Sequence, residues 1–158
     1  MKSNERILIV HDIRSAQNVG SLFRTSDAVG ITKVYLSSIC PLPLDRFGRP
    51  RSDVAKTALG AEKTIAWEVY TDIATLITTL KREQVQVVAI EQSPKSVDYK
   101  TITIDGSVAF VLGNEVDGLP HEVLNLCDVV AEIPMKGSKE SLNVAVAAGV
   151  ALFGMLGV

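Results

Sequence analysis

The amino-acid sequence predicts an α/β fold: an open, largely parallel sheet flanked by helices. Three observations carry this. Short continuous apolar runs recur along the chain, as in "RILIV" (6–10) and "SVAFVLG" (107–113), and strands without apolar–polar alternation are the mark of sheets covered on both faces. Segments with helical periodicity and recognisable ends fall between those runs. The chain, at 158 residues, is long enough to bury most of its apolar surface around one sheet.

The elements follow in order. "RILIV" (6–10) reads as a buried strand, "NVGSLFRTSDAVG" (18–30) as a helix ended by Gly30, and "TKVYLSS" (32–38) as a second strand, a βαβ opening. "SDVAKTALG" (52–60) has the signals of a short helix, with Ser52 as N-cap and Gly60 just past its end. "KTIAWEVY" is a third strand and "DIATLITTLKRE" a helix with apolar residues at 73, 76, 77 and 80. "VQVVAIE" (85–91), "SVAFVLG" (107–113) and "VVAEIP" (129–134) are further strands, and a last helix runs from Val144 to the end.

That last helix raises the question of a membrane. Fifteen residues of helix cover roughly 22 Å against a hydrocarbon core of about 30 Å, which is too short. Its many small residues suit close packing on protein. A helix apolar all round must be covered by a core or a second subunit. The start "MKSNERILIV" lacks the form of a signal peptide, so the cytoplasm is the expected location. Cys40 and Cys127 are isolated and the histidines are His11 and His121, so zinc spacing is absent and no metal is expected.

Sixteen basic against eighteen acidic residues give a net charge of −2. Any surface for nucleic acid must then be local. The candidate is residues 46–63, where Arg46, Arg49, Arg51, Lys56 and Lys63 face Asp53 and Glu62; composition alone favours a solvated loop. Neither GxGxxG nor GxxxxGK[ST] occurs, so a glycine-rich phosphate cradle is not the use of this sheet.

In open α/β sheets ligands bind beyond the carboxyl ends of the strands. Three polar clusters are expected there: "HDIRSAQNVGSLFRTSDA", "LGNEVDGL" and "PMKGSKESLN". Each also has a plain reading as loop chemistry, with Asn18, Ser141 or Asn143 as helix caps and Gly113 and Gly118 as turn residues.

Taken together, "NVGSLFRTSDAVG", "VLGNEVDGL" and "IPMKGSKESLNVAVAAGVALF" resemble the three motifs of the SpoU-type, or TrmH-like, RNA ribose 2′-O-methyltransferases of the SPOUT superfamily. The resemblance spans nearly the whole chain, with the motifs in the family's order. It implies one SPOUT methyltransferase domain over residues 1–158, with a deep trefoil knot near the C-terminus. It also implies S-adenosylmethionine as cofactor, tRNA or rRNA as substrate, and a homodimer packed through the last helix, with no membrane and no metal. Val150 and Leu152 are the positions at which a glutamate tests that interface.

By the same resemblance, Leu112, Gly113, Ile133 and Met135 hold the adenine and ribose, and Ser141, Leu142 and Asn143 close the pocket. Apolar walls with main-chain donors and acceptors suit an uncharged adenine. Asn18 and Arg24 handle the RNA, with Glu115 and Ser141 nearby, so Arg24, Asn18, Glu115, Ser141 and Asn143 form the expected catalytic set. The resemblance allows Arg24 as a base perturbed by a substrate phosphate; guanidinium chemistry favours a phosphate clamp that stabilises the developing alkoxide. Both remain open from sequence. Many family members carry a further RNA-binding domain or extensions; none is expected here, so Arg24 together with Arg46, Arg49 and Arg51 is expected to meet RNA. Two alternatives stand beside this reading: a catalytically inactive SPOUT-type RNA-binding module, and a flavodoxin-like nucleotide or flavin sensor.

Overall fold

The computed structural model describes residues 3–158. Its strands are β1 (Arg6–Val10), β2 (Lys33–Ser37), β3 (Ala66–Tyr70), β4 (Gln86–Ile90), β5 (Val97–Asp98), β6 (Val108–Leu112) and β7 (Val129–Glu132). Its helices are α1 (Ala16–Val29), α2 (Ser52–Ala58), α3 (Ala61–Thr64), α4 (Ile73–Arg82), α5 (His121–Leu126) and α6 (Val144–Leu156), with a 3₁₀ turn at Tyr99–Thr101. The strands form one sheet in the order β3-β2-β1-β6-β4-β7-β5. Every pairing is parallel.

Alternate residues of each strand face opposite layers. Leu8, Val10, Val88 and Phe110 pack with Phe23 of α1 and Leu152 of α6. Ile7, Ile9, Val87 and Val111 pack with Ile77 of α4 and Leu124 of α5. Burial on both faces is why the strand sequences read as unbroken apolar runs. Val10 pairs with Leu112 and Ile90 with Ala131, so the carboxyl ends of β1, β6, β4 and β7 lie side by side at one edge.

The βαβ opening forms within two residues of its expected bounds. Helix α1 starts at Ala16, because Ser15 caps it by accepting from the Asn18 N–H, and ends at Gly30 in the left-handed region; Asn18 is therefore inside the helix rather than its cap. Gly20 lets α1 approach α2: a Cβ there would collide with Thr57 and the Val54 carbonyl.

Three expectations need correction. Ser52 is the first residue of α2, not its cap; the cap position is Arg51, which makes no side-chain capping bond, and the helix closes at Leu59 in the left-handed region. Residues 61–64 form α3, so β3 begins at Ala66 rather than Lys63. The two-residue β5, the adjoining 3₁₀ turn and the six-residue α5 were not expected, being too short to show a period.

Helix α6 is not apolar without consequence. Ala148, Ala151, Leu152 and Met155 are buried, while Val146 (53% exposed), Val150 (38%) and Phe153 (42%) form an outer stripe at spacings of four and three. Leu152 is fully buried in this chain's own core, so of the two positions named for the interface test only Val150 faces outward. Among the described residues, no helix is long and apolar enough to cross a membrane.

Candidate active site

A cleft of about 630 Å³ opens where the loops after β4, β6 and β7 meet the N-terminus of α6. Leu112, Gly113, Ile133, Met135, Ser141, Leu142 and Asn143 all line it, and so does Glu115. The sequence-predicted pocket residues are thus brought together from two separate stretches, 112–115 and 133–143. The loop after β6 is held in a tight form: Gly118 sits at φ 66°, Asn114 Oδ1 accepts from the N–H groups of Val116 and Asp117 at 2.9 and 3.0 Å, and the Gly118 N–H reaches the Asn114 carbonyl. At Gly113 a Cβ would lie 2.7 Å from the Leu119 nitrogen and the Gly118 carbonyl carbon, so only glycine admits this fold of the chain.

Three side chains from three separate segments are linked in a row. Asn143 Nδ2 donates to Asn18 Oδ1 at 3.3 Å, and Asn18 Nδ2 donates to Glu115 Oε1 at 3.2 Å. Glu115 also accepts from the N–H groups of Arg14 and Ser15 at the entry to α1. Asn143 has a second task, since its Oδ1 caps α6 by accepting from Ala145 and Val146. Burial raises the Glu115 pKa, but N–H donors and the Asn18 amide outweigh it and the net shift is downward. Glu115 is therefore held as a carboxylate, suited to orienting the loop before α1 and poorly suited to releasing a proton near neutrality.

Glu91, Gln92 and Asn114 belong to the site but were not singled out in the sequence. Glu91 lines the cleft and accepts from the N–H groups of Leu119 and Gln92; Gln92 Nε2 donates to the Glu140 carbonyl at 2.7 Å, tying the loop after β4 to the segment before α6. Asn114 Nδ2 donates to the carbonyl of Asp12, which has φ 58°. The available signal was position: polar residues immediately after a buried strand.

Arg24 is not in this cleft. It lies on α1 roughly 9 Å along the axis from Asn18 and about 120° around it, is exposed, and is not among the lining residues. Arg46, Arg49 and Arg51 rim a separate hollow after β2. Arg49 pairs with Asp45 and Arg51 with Asp53, while Arg46 has no carboxylate within ion-pair distance among the described residues.

Behind the cleft, His11 Nδ1 and the Tyr70 hydroxyl are 2.6 Å apart and His11 Nε2 is 3.5 Å from Asp12 Oδ2. Burial lowers the His11 pKa against the opposing pull of Asp12, and burial raises that of Tyr70. A neutral imidazole and a protonated phenol follow, with Tyr70 donating to Nδ1 and the ring proton on Nε2 facing Asp12.

A profile of the SpoU rRNA Methylase family matches residues 5–153. The chain belongs to the SpoU rRNA methylase family. Among its relatives, the 23S rRNA (guanosine-2′-O-)-methyltransferase RlmB of Xylella fastidiosa is 34% identical over 147 residues, covering 93% of this chain and 56% of the relative. An rRNA methyltransferase from Sinorhizobium meliloti superposes with a TM-score of 0.84 at 30% identity, over 98% of this chain and 56% of that one. The AdoMet-bound form of that enzyme gives 0.82 at 29%, again over 98% and 56%. The chain thus spans about half the length of these relatives. The SpoU match includes all three linked segments and the β2–α2 connection that carries the arginines.

Proposed function

We propose that this SpoU family chain transfers a methyl group from S-adenosylmethionine to a ribose 2′-hydroxyl of RNA, with residues 1–158 acting as one SPOUT methyltransferase domain. The observation that carries it is the cleft itself: two segments matching the family's motifs, around 112–119 and 133–143, line one cavity, and Asn18 of the remaining motif, outside the cavity wall, is joined to it through Asn143 and Glu115. Its volume is in the range of small-molecule sites, and its apolar lining from Leu112, Leu119, Ile133 and Leu142 beside strand-end main chain fits an adenine ring. The AdoMet-bound structural relative supports the same cofactor. When bound, the cofactor supplies an electrophilic methyl group. The chain's own work is to hold the RNA ribose in line and to stabilise the hydroxyl as it loses its proton. The relative named as a 23S rRNA methyltransferase favours rRNA over tRNA as substrate. Such a substrate fits a cytoplasmic location.

The reading extends to a homodimer. Val146, Val150 and Phe153 on α6 form an apolar stripe, and a two-fold contact through it is self-complementary. α1 packs beside α6, with Thr25 next to Gly149, and this adjacency supports reading Arg24 as a residue that serves the second copy's cleft across such a contact. Arg24 then acts as a clamp on RNA phosphate and on the developing alkoxide, the role an exposed guanidinium fork fills best. A trefoil-knotted path near the C-terminus belongs to the same reading and is supported by the family match over residues 5–153 and by the likeness to the Sinorhizobium meliloti structure.

The experiment is incubation with methyl-labelled S-adenosylmethionine and RNA. Label in alkali-resistant dinucleotides is expected, because a blocked 2′-oxygen cannot attack its phosphodiester; label found on bases alone contradicts the proposal. Val150→Glu, which places an unpaired charge in the stripe, is expected to shift the sedimenting species from dimer to monomer and to abolish transfer. An active wild-type monomer refutes the interface.

A further inference from the structure

Phe47 belongs to neither core cluster. It is 66% exposed, at the tip of a loop that is otherwise closely organised. Asp45 Oδ1 accepts from the N–H groups of Phe47 and Arg49 at 2.8 and 2.9 Å, and the Asp45 N–H reaches the Arg49 carbonyl at 2.8 Å. The Gly48 N–H closes on the Asp45 carbonyl at 3.0 Å, and Leu44 pairs with Pro50 as an antiparallel bridge. A loop this constrained presents its tip side chain in a fixed place. Phe47 and the exposed Leu44 border one hollow, and an exposed apolar patch of this kind marks a contact surface.

The surroundings say what would bind. The Arg46 and Arg49 guanidinium carbons lie 4.7 and 5.0 Å from the Phe47 ring centroid, so ring and guanidinium planes form one π-rich surface. Beside it is an open hollow of about 580 Å³, with Cys40, Leu42 and Leu44 on its apolar side and Arg46, Arg49 and Arg51 around its basic side. An apolar floor, an aromatic and a rim of guanidinium groups match the two halves of a nucleotide, a flat base and an anionic phosphate. Asp45 also lines the hollow, but three arginines against it leave the rim net positive, which favours an anionic partner. The loop follows β2 and so leaves the sheet at the same carboxyl edge as the cleft, since every strand runs parallel.

We propose that Phe47 is a stacking platform for an unpaired RNA base, with Arg46, which faces no carboxylate among the described residues, holding the adjoining phosphate. This rests on the reading of the chain as an RNA-modifying enzyme. It goes beyond general charge attraction, because unpaired bases are captured by stacking on aromatic rings and arginine planes, and that capture requires a base. The site therefore selects a looped-out or single-stranded stretch next to the modified ribose over a continuous helix.

The test uses Phe47→Trp and Phe47→Leu in the full chain, with a ten-nucleotide oligoriboadenylate and an abasic strand of equal length as probes. Indole fluorescence of the Phe47→Trp variant is expected to be quenched by the oligoriboadenylate and not by the abasic strand, with wild type giving the Trp67 baseline. Phe47→Leu, which keeps bulk but not the ring, is expected to bind the oligoriboadenylate about ten-fold more weakly and the abasic strand unchanged. Absence of quenching, an equal loss on both strands, or a change in sedimenting mass with RNA binding intact would each overturn the proposal, the last by showing a protein contact. Methyl transfer is measured on the same preparations. Transfer without quenching removes the platform and leaves the proposed function; quenching without transfer does the reverse.

Discussion

The cleft and the arginine loop leave the same edge of one parallel sheet, yet they are built in opposite ways. In the cleft, polar side chains are bonded to one another and to main chain: Asn143 to Asn18, Asn18 to Glu115, Glu91 to the Leu119 and Gln92 N–H groups. What faces the cavity is shape, set by a glycine that admits no Cβ and by strand ends fixed in register. In the loop the main chain is fixed by Asp45, while the aromatic and guanidinium groups of Phe47 and Arg46 are left exposed. The contrast fits the two proposed uses. A small cofactor of fixed form rewards a preorganised cavity; a long flexible polyanion is gathered by exposed cations whose contribution depends on salt.

The largest effect expected is at Arg24, which belongs to neither surface within one subunit. Arg24→Ala should lower turnover by a factor of about 100 or more with cofactor affinity nearly unchanged, since its interactions arise with RNA and in the transition state. Comparable loss of cofactor binding would make it a structural residue. A mixed dimer sharpens this. Arg24→Ala paired with Gly113→Val, whose side chain would collide with the Leu119 backbone, should recover activity if Arg24 serves the opposite copy, because one site then has both an intact cleft and an intact arginine. No recovery would place Arg24 in its own subunit's reaction.

Next is the loop. Replacing Arg46, Arg49 and Arg51 together by glutamine should weaken RNA binding and flatten its salt dependence by up to roughly one log unit per lost phosphate contact. The ion pairs divide that effect unevenly. Arg49 and Arg51 already face Asp45 and Asp53, so Arg46→Gln alone should produce the largest single share. Unchanged affinity and slope in the triple variant would return the loop to an ordinary solvated surface.

The smallest effect is on stability. The native pKa of His11 lies below its ordinary value of 6.5 because of burial. Below pH 6.5 the unfolded chain therefore binds a proton that the folded chain resists, so stability falls with pH across the window from there down to the depressed native value, then stops responding. His11→Gln should remove that part of the acid sensitivity in denaturant titrations. An identical pH profile for both proteins would mean that this histidine is not held neutral.

Much of this was legible in the sequence for a physical reason. β1, β4 and β6 are buried on both faces, so "RILIV" and its counterparts admit little but strand, and Gly30 ends α1 as its position implies. Leu112, Gly113, Ile133 and Leu142 line one cavity, and the motifs name these positions before any cavity is known. What was hidden depends on tertiary context. The roles of Glu91 and Gln92 come from loops more than 25 residues away, Leu119 and Glu140. Ser52 carries the right side chain for a cap, but the helix starts at it because Arg51 is the extended residue. The split of α6 between a buried Leu152 and an exposed Val150 cannot be read from a segment that is apolar at nearly every position. Phe47 drew no notice because a lone aromatic in a loop has no periodicity to mark it.

The central claim, that the cleft and its linked asparagines serve ribose methylation of RNA, is tested most directly by mapping 2′-O-methyl sites across total RNA from cells with and without this chain. At least one ribose position is expected to lose its methyl group when the chain is absent, to regain it with the wild-type sequence, and not to regain it with Arg24→Ala. An unchanged ribose map, or a change confined to base methylation, would contradict it.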